Sequence, residues 1–328
     1  MSEVNIKIPK ARGEFQIRKW KDGELIYDSG TMNNIVVNNF YKMWFDHPAR
    51  WENTGYNIQG LMRYCSVSND SGEVVAEDTS LSGEISTKIM YNQTMPNITI
   101  ENIEGKNYYK LVRRYLWNQG EFNNVTISKL GILCDRGIGL TDRLVAGQLI
   151  KNTLGIPVTI TILSDEQLDI TYTLYVPVLH DVTTSGVMVI NGIEYPYDLT
   201  VYASRLSYMS TNQYYYQLTL FSSPAQAAPS NNVFTINSTS YGITSATKTL
   251  YDNRAEVVYS MTVESGPEFN PINNMDYGNL YINNSTNSYN SQNIRLIRYT
   301  FTGGTKPIKL ATDTFTSTVK ITIQWGEE

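Results

Sequence analysis

Apolar and polar residues alternate in short runs along most of this chain, and turn-forming Asn, Asp and Gly residues separate the runs, the pattern of half-buried antiparallel strands. Glu14-Phe15-Gln16-Ile17-Arg18-Lys19-Trp20 opens the series, Lys21-Asp22-Gly23 turns it, and Glu24-Leu25-Ile26-Tyr27 runs back. The Asp-Gly pair supplies the positive φ angles of a tight hairpin. After Asn33-Asn34 the spacing changes. Ile35, Val36, Phe40, Met43 and Trp44 form a helical stripe, which predicts a short helix ending before Pro48 and packed on a sheet.

Strands are then expected over 108–117, 125–133, 158–163 and 168–176, the last alternating over most of its length. Residues 142–150 break the pattern and read as a short helix or an irregular excursion. A second region opens after 181–186 with a hairpin, 187–190 and 193–195, around Asn191-Gly192. Further strands are expected over 199–206 and 214–220. The run 222–232, rich in Ser, Pro and Ala, reads as a loop or linker. The run 270–293, crowded with Asn, Ser and Tyr, reads as a long exposed loop.

Lys110-Leu111-Val112-Arg113-Arg114-Tyr115 resembles Arg295-Leu296-Ile297-Arg298-Tyr299, and an alternating strand follows each, at 168–176 and at 315–325, which suggests an internal duplication. The expected architecture is all-β: two β-sandwich-like domains with a short N-terminal helix. Residues 1–50, hairpin and helix, belong with 51–182 in the first domain, and 183–328 form the second.

Composition adds surface character to this picture. Of 328 residues, 41% are hydrophobic, enough for proper cores, while 17% are charged, below the usual quarter or so. A chain that hides surface in an assembly manages with fewer solubilising charges; an ordinary β-protein rich in Asn, Thr and Ser gives the same figure. Tyr, at 24 against 9 Phe and 5 Trp, suits half-buried strand positions and interfaces. The net charge of −5 and the lack of a basic stripe argue against nucleic acid as a main partner. No apolar run approaches the length of a membrane span, and the N-terminus lacks a secretory h-region, so membrane insertion is not expected. Cys65 and Cys134 read as buried small hydrophobes, with a bridge between them left open because sequence does not give their separation.

Candidate chemistry is sparse, and no cofactor or metal is expected. Two histidines, His47 and His180, supply neither a metal cluster nor a triad. Gly137-Ile138-Gly139 lacks the third glycine of a dinucleotide motif. Asp165, Glu166 and Asp169 could serve glycoside hydrolysis, yet they sit at a strand entry, where solvated charges are expected. Tyr214-Tyr215-Tyr216 alternates faces in a strand and so exposes at least one ring, for an interface or for sugar.

Several stretches in order resemble a family of tailed-phage tail proteins, labelled tail-fibre, fibre-adaptor or baseplate-associated. They are the hairpin at Asp22-Gly23, Asn34-Ile35-Val36-Val37, Ile127-Ser128-Lys129-Leu130-Gly131-Ile132, Arg143-Leu144-Val145, Gly155-Ile156-Pro157-Val158-Thr159 and Asp165-Glu166-Gln167-Leu168-Asp169-Ile170-Thr171-Tyr172. The resemblance covers about residues 13–178 and departs at Lys129, where the pattern carries Glu. It implies a virion structural role made in a bacterial host cytoplasm, symmetric copies (a trimer or hexamer) around a tail axis, and no catalysis. Sheet edges, loops and an N-terminal arm would dock other tail or baseplate proteins. Arg113, Arg114, Arg143 and Arg298 are the candidate polar anchors, since Arg makes bidentate contacts; Tyr214, Tyr215 and Tyr216 are the candidate apolar ones. Solvated surface charge is the bland alternative for each arginine. A glycan-binding receptor fibre touching the host through 270–293 or the tyrosine run, and a capsid or neck fibre, are rival readings; a carbohydrate-degrading enzyme is the rival from another class.

Overall fold

A computed structural model describes residues 2–46, 61–91, 99–134, 143–152, 154–202, 215–221, 244–263, 271–272, 274–282, 291–310 and 312–327. Twenty strands and one helix lie among them, an all-β fold. The chain divides into two compact units: residues 8–178 with 325–328, and residues 1–7 with 179–324. The N-terminal residues therefore do not group with the hairpin that follows them, as the sequence suggested. Strand β1 (Ser2–Pro9) instead lies beside the last strand of the chain, a pairing between the two ends that no local pattern announces.

The first unit begins with the expected hairpin, β2 (Arg12–Lys21) and β3 (Glu24–Val36), and its turn residues Asp22 and Gly23 have φ angles of 51° and 84°. Helix α1 (Asn38–Asp46) follows. It starts later than the helical stripe suggested, because Ile35 and Val36 extend β3 and pair with Gly147 and Ala146. Then come β4 (Tyr64–Ser68), β5 (Glu84–Ile89), β6 (Thr99–Ile103), β7 (Lys106–Trp117), β8 (Val125–Ile127), β9 (Lys129–Leu133), β10 (Leu144–Leu149), β11 (Ile160–Ile162) and β12 (Gln167–Pro177). Nine of them form one sheet in the order β5-β4-β9-β10-β3-β2-β12-β7-β6, and β8 and β11 pair separately. Strand β10 corrects the helix or irregular excursion expected over 142–150. All its residues are buried, and a strand covered on both faces shows no alternation to read.

Register fixes the faces of the β2-β12-β7 region. Phe15 and Ile17 on β2, Ile170, Tyr172 and Leu174 on β12, and Leu111 and Tyr115 on β7 are fully buried. Positions between them, such as Gln16, Arg18 and Trp20, point to the other face. Tyr41 of the helix stacks on Trp325 at 5.5 Å and accepts the Ala11 N–H at 2.6 Å, which fixes the helix in this unit.

The second unit contains β13 (Val182–Ile190), β14 (Ile193–Val201), β15 (Tyr215–Phe221), β16 (Thr244–Leu250), β17 (Arg254–Val263), β18 (Asn274–Ile282), β19 (Ser291–Phe301) and β20 (Phe315–Glu327) up to residue 324, its last residues belonging to the first unit. Two antiparallel sheets, β13-β14-β19-β18-β15 and β1-β20-β17-β16, form a sandwich-like pair. Leu199, Val201, Ile297 and Tyr299 of one and Val319, Ile321, Ile323 and Tyr259 of the other are buried. Tyr299 and Ser317 share a hydrogen bond of 3.2 Å across the layers, as do Tyr197 and Ser2 at 2.6 Å.

Two further expectations change here. The run 270–293 is not one long loop, since it holds β18 and the start of β19. The duplication does not extend to strand pairing: β7 pairs with β12, whereas β19 and β20 lie in different sheets. The linker expected over 222–232 lies outside the described residues.

Candidate functional site

The four candidate arginines are not brought together. Arg113 faces inward on β7, 5% exposed, and burial pushes its guanidinium pKa down. Its neighbour Arg114 faces outward and donates to both carboxylate oxygens of Asp169, at 2.8 and 2.9 Å, beneath the ring of Tyr91 at 5.2 Å. Arg143 donates to the Cys134 carbonyl at 2.9 Å and lies 4.8 Å from the Tyr64 ring centre. Arg298 belongs to the second unit, on β19 opposite Thr200 and Asp276. The contacts seen for Arg114 and Arg143 fasten the fold. Tyr215 and Tyr216 start the edge strand β15, opposite Leu280 and Asn279; Tyr214 and His47 lie outside the described residues. His180 is exposed, and Cys65 and Cys134 are buried thiols not joined in a disulfide.

The acidic cluster at the entry of β12 is matched cation by cation. Lys21 reaches Asp165 at 2.6 Å, Lys19 reaches Glu166 at 2.7 Å, and Arg114 holds Asp169. Glu166 also accepts the Leu163 N–H at 2.9 Å. Burial pushes the Glu166 carboxyl up, but Lys19 and that N–H outweigh it and leave it below the usual carboxylate range. Lys21 likewise holds Asp165 down. A glycosidase acid needs the opposite, a carboxyl raised toward neutrality. Among the described residues no three His, Cys, Asp or Glu side chains gather to hold a metal, and no helix is long and apolar enough to cross a membrane.

Lys129, the position that departs from the tail-protein pattern, is 3% exposed and pairs with Asp70. Lys129 and Ser82 hold the Asp70 carboxyl down at about 2. A carboxylate with a depressed folded-state pKa stabilises the fold above its unfolded value and loses that contribution as pH falls toward the folded one. Stability to urea is therefore expected to hold from pH 7 to about 5 and to fall between about pH 4 and 2. Asp70→Asn should lower stability at pH 7 and converge with the parent protein near pH 2; a constant gap across that range would sink the assignment.

Two surface features remain once these internal ties are accounted for. One is an open cleft of about 610 Å³ at the turn end of the β2-β12-β7 face, lined by Trp20, Asp22, Gly23, Asn118, Gln119 and Gln167. Trp20 is paired with Gln167 across β2 and β12, and Asn118 directly follows β7, where Trp117 pairs with Leu168. The other is the edge of β13, which among the described residues pairs with β14 alone. Its nine residues, VTTSGVMVI, carry no charge and no proline. Val187 and Val189 are 55% and 62% exposed, and Ile193 on the neighbouring strand is 53% exposed. Edge strands β1, β5, β6 and β16 each carry at least one charged residue, whereas β15, at the far edge of the same sheet, is uncharged like β13. Sequence reasoning named neither feature, although Trp20 stands out as a large aromatic at an outward position. Compared with known proteins, the chain matches no family model, no curated protein and no solved structure.

Proposed function

We propose that this chain is a structural component of a tailed-phage tail, a tail-fibre protein or baseplate adaptor that acts through protein–protein contacts in trimeric or hexameric copies, and not through catalysis. The observation that carries the reading is the uncharged edge of β13. A strand edge offers a row of unpaired N–H and C=O groups, and monomeric proteins guard such edges with Lys, Pro, bulges or short strands. β13 has no Lys and no Pro, and its outward row, Thr183, Ser185, Val187 and Val189, is exposed. A strand from a neighbouring subunit would extend the sheet and bury both valines, giving main-chain affinity with apolar specificity. The ordered resemblance over 13–178 and the low charged fraction support the same reading.

Val187→Lys with Val189→Lys should block this docking while leaving the fold intact, because both positions face solvent in the isolated chain. The expected result is a soluble protein with an unchanged melting curve that no longer enters tail assemblies or self-associates. Normal incorporation of the double variant would remove β13 as the docking edge and, with it, the main support for an assembly role.

A further inference from the structure

We propose that the cleft at the turn end of β2, β12 and β7 binds a neutral oligosaccharide. The proposal rests on the chemistry of the cleft and not on the tail assignment. Its lining combines one indole, three carboxamides and one carboxylate. A pyranose ring has an apolar face of C–H groups, which stacks on an aromatic ring, and an equator of hydroxyls, each both donor and acceptor. Carboxamides offer a donor and an acceptor side by side, and a carboxylate offers paired acceptors. Trp20 supplies the flat apolar surface, and Gln167, Asn118, Gln119 and Asp22 supply the polar rim. The volume of about 610 Å³ falls within the range of small-molecule sites, roughly 300–1,000 Å³.

The lining also argues against other ligand classes. Among the described residues it contains no cationic side chain, which disfavours phosphates, nucleotides and acidic sugars. The nearby Lys19 and Lys21 are paired with Glu166 and Asp165. An all-apolar guest would strand the amides without hydrogen bonds, at a cost for each unmet group.

The site is held in shape before any ligand arrives. Trp20 and Gln167 face each other across a regular antiparallel pair. The Asp22-Gly23 turn is fixed by the positive φ angles of both residues. Gln119 donates its amide to the Asp165 carbonyl at 3.0 Å, and Asn118 donates to Glu121 at 3.1 Å, which holds both side chains in place at the cleft. Gln167 and Asp22 make no side-chain hydrogen bond among the described residues. Among the described residues the buried Trp20 Nε1 has no hydrogen-bond partner.

The test is a screen of the full-length protein against immobilised neutral hexose and N-acetylhexosamine oligosaccharides, with sialylated and sulfated ones alongside. Affinity for any hit is then measured by titration for the parent, Trp20→Ala, Trp20→Phe, Gln167→Ala and, as a control distant in sequence and unit, the exposed position Ile308→Ser. A neutral glycan should bind. Trp20→Ala and Gln167→Ala should each weaken it by about tenfold or more, Trp20→Phe should retain part of the affinity, and Ile308→Ser should leave it unchanged. Melting curves identify any variant that fails to fold, and Gln167→Ala then carries the test without Trp20→Ala. The proposal is overturned if no neutral glycan binds at millimolar concentration, if only acidic glycans bind, or if folded Gln167→Ala and Trp20→Phe bind as tightly as the parent. None of these outcomes bears on assembly through β13, which the Val187 and Val189 variants read separately.

Discussion

Lys19→Met is expected to destabilise the first unit by about 3 kcal/mol at pH 7, the low end of the range for breaking a buried pair from one side. The side chains of Lys19 and Glu166 are 12% and 6% exposed, and their charged atoms lie 2.7 Å apart. Lys19 also donates to the Thr161 carbonyl at 2.8 Å, so its loss leaves two acceptors short of a donor. Glu166 would keep only the Leu163 N–H, in surroundings that disfavour its charge. For a unit of this size a loss of about 3 kcal/mol lowers the melting temperature by about 6–12 °C.

The double variant Lys19→Met, Glu166→Gln separates a charge effect from a packing effect. With the carboxylate replaced by an amide there is no stranded charge, and most of the loss should return. The single variant should also approach the parent below about pH 4, where Glu166 is protonated in the variant and its pair with Lys19 is weakened in the parent. A double variant as unstable as Lys19→Met alone would show that Lys19 acts through packing and its bond to Thr161, not through the ion pair.

The ion pair also shows where sequence reading reached its limit. Asp165 and Glu166 are visible as acids at a strand entry, and that is where they sit. Their partners, Lys21 and Lys19, lie on a different strand, and which cation meets which acid depends on the β2-β12 register. Local chemistry was legible: Asp22-Gly23 and Asn191-Gly192 both turn with positive φ, and β12 is a strand whose burial alternates over 170–174, although 168–170 and 174–177 are buried continuously. Elements defined by distant partners were not. β10 is covered on both faces and lost its period; β1 takes its place beside β20 at the far end of the chain; β18 is masked by the Asn-rich run around it. The cleft was invisible for the same reason, since Trp20, Gln167 and Asn118 become neighbours only when β2, β12 and β7 pair. Two of the arginines singled out for neighbours are tied within the fold by partners that sequence could not supply: Asp169 for Arg114, and the Cys134 carbonyl for Arg143.

Gly13→Ala should destabilise the same unit by about 3 kcal/mol, made up of overpacking of about 1–3 kcal/mol and about 1 kcal/mol for a disturbed polar contact. The sign is the informative part. Replacing Gly by Ala within a regular strand ordinarily gains about 0.5–1 kcal/mol, because Gly has more freedom to lose on folding. Gly13 is buried on β2, between Asn34 of β3 and Leu174 of β12, and a methyl group there would collide with the Asn34 Oδ1 and the Tyr172 hydroxyl. Tyr172 has little room to retreat: it is fully buried, its ring lies 4.7 Å from that of Phe15, and burial pushes its hydroxyl pKa far up. Adding Tyr172→Phe to Gly13→Ala removes one of the two colliding oxygens and should recover a large part of the loss, although Tyr172→Phe alone should gain little. A stabilised Gly13→Ala protein, or a Tyr172→Phe background that fails to relieve it, would mean that glycine is not what lets β2 lie so close under Asn34 and Tyr172.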